Sequence, residues 1–287
     1  MTRRPALDRR ALFGMGAAAA LLAVSGVSAA GMARRGGRLR LAVSGGRRDD
    51  IWATGGGLFM QLARVGLVHD TLTEVAADGT LRGDLAQGWR SADNGQTWRF
   101  DLRQDVAFHD GHLMTAEDVA DSLRRGLGEP DTVKALGKSG VEITLSRPDA
   151  GLPFRLAGPG FAIGRPGADA AGIGTGPYRL VEFSPGRRVV AERVPGHRTE
   201  GASAWFDTVE LVSIPSAAVR LQAFDEHLVD ALDLAEGDAC EPSREHAVLP
   251  TDEGCRQIVS RELALGARQG AELPFDDLRA PRRWWFA

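Results

Sequence analysis

The chain is poor in cysteine and almost without lysine. Two cysteines in 287 residues, Cys240 and Cys255, exclude a disulfide-built scaffold, and no Cys-x-x-Cys pair is present for zinc or dithiol chemistry. In an oxidising compartment the two can form one bond or stay as free thiols, and their spacing leaves both open. Among 35 basic residues only Lys134 and Lys138 are lysines, which reads as a coding bias toward arginine. A formal net charge of −3 excludes a strongly basic protein built to hold nucleic acid. Catalytic signatures are missing too: there is no GxxxxGK[ST], no GxSxG and no HExxH. No internal repeat is visible. What is there is ordinary for a globular protein, with 43% hydrophobic and 25% charged residues, enough for a core in one or two domains.

Residues 1–30 read as a secretory signal. Arg3, Arg4, Arg9 and Arg10 precede an uncharged stretch from Ala11 to Ala33. Val27-Ser28-Ala29 and Ser28-Ala29-Ala30 each offer small residues for a cut near Ala29 or Ala30. Asp8-Arg9-Arg10-Ala11-Leu12-Phe13 resembles a twin-arginine export motif, with Asp8 where Ser or Thr is usual. General secretory export and an uncleaved anchor are the alternatives. The run is long enough for a span of about 20 residues but is a weak one in Ala and Gly. No cysteine stands near the cut to carry a lipid.

The remainder predicts a mixed α/β fold. Arg38–Val43 alternates as a half-buried strand, and Leu58–Val68 carries a helical stripe that Gly66 weakens. Trp98, Phe100 and Leu102 mark a strand after the Asn94-Gly95 turn, with Trp89 on its partner. Thr115 opens a helix by capping the amide of Asp118. Val141–Leu145 is a strand. Tyr178–Phe183 and Arg188–Arg193 form a hairpin, and Val209–Ile214 precedes a helix over Ser216–His227. Gly126–Gly140 and Ala157–Gly176 read as Gly/Pro-rich linkers.

Few residues suggest chemistry. Gly172–Gly176 is glycine-rich but runs into Pro177 and a strand, so it reads as a flexible crossover rather than a phosphate cradle. His109-Asp110-Gly111-His112 holds enough ligands for a metal on paper, but Asp-Gly turn chemistry explains it better. Trp52, Phe59, Met60 and Trp89 are candidate walls of a ligand cleft, against the plainer reading of core packing. Trp52 stands out because it lies in a loop with neither helical nor strand period.

Several blocks together carry a family resemblance. They are Val68-His69-Asp70-Thr71-Leu72-Thr73-Glu74, Asp84-Leu85-Ala86-Gln87-Gly88-Trp89, Thr97–Arg103, Val106–Gly111, Thr115–Val119, Gly174-Thr175-Gly176-Pro177-Tyr178 and Val229–Asp233. Over residues 38–235 the chain resembles the extracytoplasmic solute-binding proteins of ABC importers, family 5, of the dipeptide, oligopeptide and nickel type. The resemblance implies a type II periplasmic binding protein whose two lobes close on a ligand. It also implies delivery of a peptide or other small solute to ABC permease subunits without catalysis; a monomer with no cofactor, metal or nucleic acid is expected.

It further implies that residues 31–270 form the N-terminal lobe, with mixed sheets, and that 271–287 begin a second lobe. There Pro274–Arg279 resembles a family step, and Ala280–Ala287 diverges from it. The second lobe is then largely missing, and the segment between Arg125 and Val141 is short for the family. By order along the chain, Trp52, Gly55, Gly56, Gly57, Phe59 and Met60 approach the ligand, the glycines allowing close backbone contact. Two readings compete: a non-transporting lobe, and a secreted metal-dependent hydrolase using His109 and His112.

Overall fold

A computed structural model describes residues 36–260 apart from 76–79, 130, 169–170, 201–203, 236–237, 239–244 and 252–253. The export segment, Cys240 and the 271–287 tail lie outside the described residues.

The larger sheet grows around β1 (Arg38–Val43). Its alternation puts Leu39, Leu41 and Val43 on one face, fully buried with Tyr178, Val209 and Leu211. Ala42 faces the other way, into a second cluster with Phe224, Leu232 and Leu234. Burial on both faces makes β1 a central strand. It pairs in parallel with β10 (Thr208–Ser213) and β11 (Ala231–Ala235). Antiparallel strands complete the sheet on both sides: β8 (Tyr178–Ser184) and β9 (Arg188–Arg193) beyond β10, then β12 (Glu245–Thr251) and β13 (Gly254–Ser260) beyond β11. The order is β12-β13-β11-β1-β10-β9-β8.

A smaller antiparallel sheet has the order β4-β5-β7-β6, from β4 (Ala86–Ser91), β5 (Thr97–Leu102), β6 (Thr132–Leu136) and β7 (Gly140–Thr144). Trp89 stands opposite Phe100, as the strand pattern predicts. Asn94 and Gly95 both take positive φ in the connecting turn. Helix α2 (Ala116–Leu127) covers this sheet; Val119, Ala120 and Leu123 are buried with Phe100, Val141 and Ile143. Thr115 and Asp118 cap it reciprocally, hydroxyl to amide and carboxylate to amide. A short pair, β2 (Thr73–Val75) and β3 (Leu81–Gly83), stands apart.

The structure corrects three expectations. Gly126–Gly140 is not a linker: it holds the end of α2 and then β6, whose Val133 is buried against α2. The glycines that suggested a linker sit at its ends, with Gly137 at φ +62° in the β6–β7 turn. The predicted helix over Leu58–Val68 is also not uniform. A short α1 (Gly57–Gln61) opens into a π-helical segment, Leu62–Val68, closed by the His69 amide on the Arg64 carbonyl. The wider turn lets Leu62, Ala63, Val65, Leu67 and Val68 all be buried, more than one amphipathic stripe holds. After the single-turn helix α3 (Leu152–Arg155), helix α4 (Ala217–Asp225) stops short of His227, which takes φ +62°.

Candidate functional site

In an open sheet with parallel strands, ligands meet the carboxyl ends of the strands where neighbouring connections diverge. Here that place is the end of β1. The chain leaves β10 on one side of it, passes through α4 and returns as β11 on the other. The loop after β1, residues 44–56, leads from this edge and contains three of the six predicted site residues, Trp52, Gly55 and Gly56.

A buried charge fixes the start of that loop. Asp233 is fully buried within the apolar run of β11. Its carboxylate accepts from the Ser44 amide at 2.8 Å and from the Ser44 hydroxyl at 2.6 Å. Arg220 on α4, 2% exposed, pairs with it at 3.1 Å and donates to the carbonyls of Asp233, Ile214 and Pro215. One ion pair thus ties the ends of β1, β10 and β11 to α4.

Further along, the Asp50 carboxylate accepts from the Arg47 amide at 2.7 Å and closes a turn. Trp52 then folds inward and is 3% exposed, with its ring edge-on to Phe183. Its indole N–H donates to His69 Nε2 at 2.9 Å, and His69 Nδ1 lies 3.0 Å from the Ile163 carbonyl oxygen. This pairing assigns the imidazole proton to Nδ1. Burial first, and the nearby Arg64 charge second, lower the His69 pKa to about 3, so the ring is neutral.

The predicted residues are therefore split. Trp52 and His69, with Thr54, Arg64, Ser122 and Arg125, line a cavity of about 370 Å³. Phe59 and Met60 are fully buried under β1 and serve the core. Gly57, at φ +76°, packs so closely that a Cβ would lie 2.7 Å from the Gly45 carbonyl oxygen; Gly55 is likewise closed in by Ile51. Gly56 alone of the three has open space where a side chain would stand. Trp89 and Trp98 are partly buried against the smaller sheet's core.

The joint between the two sheets carries a second buried charge cluster. Asp70 and Asp84 both accept from the Arg198 guanidinium, and the Thr175 hydroxyl donates to Asp70 at 3.0 Å. Gly172–Gly176 is thus a packed joint rather than a flexible crossover: a Cβ on Gly174 would lie 2.0 Å from the Val68 carbonyl oxygen. His109 belongs to the same joint. Its Nε2 reaches the Gly176 carbonyl oxygen at 2.9 Å, while His112 instead faces Asp110 at 3.2 Å. The two histidines have separate protein partners. Arg198→Ala removes the bridge between two buried carboxylates and is expected to cost about 2–3 kcal/mol in urea unfolding. That is below the usual cost of breaking a buried pair, because the Arg198 side chain keeps 22% of its exposure.

Comparison with known proteins gives this geometry a context. The family model of the bacterial extracellular solute-binding proteins, family 5, matches residues 80–245. The chain belongs to this family. A probable D,D-dipeptide-binding periplasmic protein of Escherichia coli (strain K12) is 30% identical over 195 residues, covering 57% of this chain and 37% of that protein. The nickel-binding periplasmic protein of the same strain is 29% identical over 199 residues, covering 62% and 38%. The periplasmic binding protein AgaA of A. tumefaciens R10, solved with agropinic acid, superposes with a TM-score of 0.64 at 22% identity, covering 75% of this chain and 48% of that one. The fold is accordingly that of a type II periplasmic binding protein lobe, and the chain spans less than half the length of these relatives. Among the described residues no helix is long and apolar enough to cross a membrane.

Proposed function

We propose that this protein is the solute-capturing component of an ABC importer. It is exported, binds a peptide or a related small solute outside the cytoplasmic membrane, and hands it to permease subunits as a monomer. It performs no chemistry on that solute. The observation that carries this reading is the pinned loop at the carboxyl edge of β1, held by Ser44–Asp233 while its own residues Arg47–Asp49 stay exposed. Trp52 and Gly56 are the members of the predicted set that border a cavity or open space, and they are the contacts this reading retains. The dipeptide, nickel and agropinic-acid relatives differ in solute, so the class is kept broad.

A clamp of this kind buries its solute between two walls, and the described residues supply one. A micromolar complex holds about −8 kcal/mol; half of that leaves roughly millimolar binding. Calorimetry of the 287-residue chain with a dipeptide and oligopeptide pool is expected to show saturable, roughly millimolar binding. Submicromolar affinity contradicts the one-wall reading, and no saturable heat contradicts the solute-binding reading.

A further inference from the structure

The arginines of β1, β8, β9 and the loops that follow β1 and β8 fall into two groups. Every arginine on β1, β8 and β9 is paired: Arg38 and Arg188 with Glu210, Arg40 with Asp230, Arg179 with Glu192, and Arg193 with Asp207. Arg47, Arg48 and Arg187 differ. All three are exposed, and among the described residues none of them makes an ion pair.

The two loops that carry these three meet, and Arg48 and Arg187 line one depression between them. The β8–β9 turn packs directly on the loop after β1, since a Cβ on Gly186 would lie 2.3 Å from the Arg47 carbonyl oxygen. Between the two loops is a depression of about 700 Å³, lined by Gly46, Arg48, Pro185, Gly186, Arg187 and Pro215. Its lining includes two guanidinium groups and no carboxylate among the described residues. Asp50 is turned inward onto the Arg47 amide, which leaves Asp49 as the exposed acid of the loop. Behind Gly46 lies the Ser213 hydroxyl, buried and without a hydrogen-bond partner; a Cβ on Gly46 would come within 2.4 Å of it.

We propose that Arg47, Arg48 and Arg187 form a rim that receives an anionic group, carboxylate or phosphate, of the captured solute. The proposal rests on the reading of the β1 edge as the solute face. Guanidinium forks match the planar oxygens of a carboxylate and the oxygens of a phosphate. Paired arginines along the strands cannot serve that end without losing their acids, whereas the rim groups are available.

The test is an amide NMR titration of the full 287-residue chain at constant ionic strength, with three probes: N-acetyl-Ala-Ala, its neutral C-terminal amide, and inorganic phosphate. The acid is expected to shift the amides of Gly45–Asp50 and Gly186–Arg187 with saturation, and about tenfold more tightly than the amide probe. An R48Q/R187Q double variant, folded as judged by unchanged shifts in the smaller sheet, is expected to bind the two peptides equally. Saturation by phosphate but not by the acid supports the rim and names phosphate as its group. Equal binding of acid and amide by the unaltered chain overturns the anion proposal while leaving the solute face intact. Shifts by any probe that are linear, without saturation, also overturn it. Saturable shifts that avoid both loops overturn the rim and the solute-face reading together.

Discussion

Replacing Asp233 by alanine is expected to lower unfolding free energy by about 4 kcal/mol, the usual cost of stripping one partner from a buried ion pair. Arg220 is 2% exposed, so its charge stays in the interior, where it donates to the carbonyls of Asp233, Ile214 and Pro215. Ser44 loses the acceptor of both its amide and its hydroxyl at the same time. Against a total stability of about 5–15 kcal/mol, this change brings the chain near its unfolding threshold at 37 °C. The urea midpoint should fall with the slope unchanged. Asp233→Leu combined with Arg220→Met should recover part of the loss, because removing both charges avoids the orphaned one. A single variant as stable as the parent would show that the pair does not hold the β1 edge.

Acid should weaken the protein through His69. The ring is neutral in the fold with its pKa lowered to about 3, against an ordinary value of 6.5. Below pH 6.5 the unfolded chain takes up a proton that the folded one refuses. Stability from this group is therefore complete above pH 6.5 and is lost progressively as pH falls toward 3. Between pH 7 and pH 4 the loss amounts to roughly 3 kcal/mol. Protonation would also set an Nε2–H against the Trp52 indole N–H, breaking the contact that folds Trp52 inward. Urea unfolding at pH 7 and pH 4, read for the parent and for His69→Gln, checks this. The variant should start less stable and show a shallower pH dependence; parallel pH curves would refute the role given to His69.

Much of the scaffold is legible in the sequence because its periods are clean. The alternation in Arg38–Val43, the Asn94-Gly95 turn and the Thr115 cap each follow from one local rule, and each is found. Strand β6 is missed because its five residues carry one buried position, Val133, between glycine-marked ends. The π-helical turn is missed because burial on all sides erases the stripe that marks a surface helix. The buried charges are missed for another reason: their partners lie far along the chain, as Ser44 does from Asp233. A signal was present in Leu232-Asp233-Leu234, where an acid interrupts an otherwise apolar strand. Phe59 and Met60 follow Trp52 in the order along the chain that the family resemblance uses, yet α1 places them under β1 while Trp52 borders the cavity.

The central claim is that solute meets the protein at the carboxyl edge of β1 and β10. Photo-cross-linking tests it most directly, using a diazirine-bearing dipeptide at millimolar concentration with the 287-residue chain, followed by peptide mapping. The account predicts labels within residues 44–57 and 213–216 that unlabelled dipeptide competes away. Competable labels confined to the strands of the smaller sheet, residues 86–102 and 132–144, would contradict it.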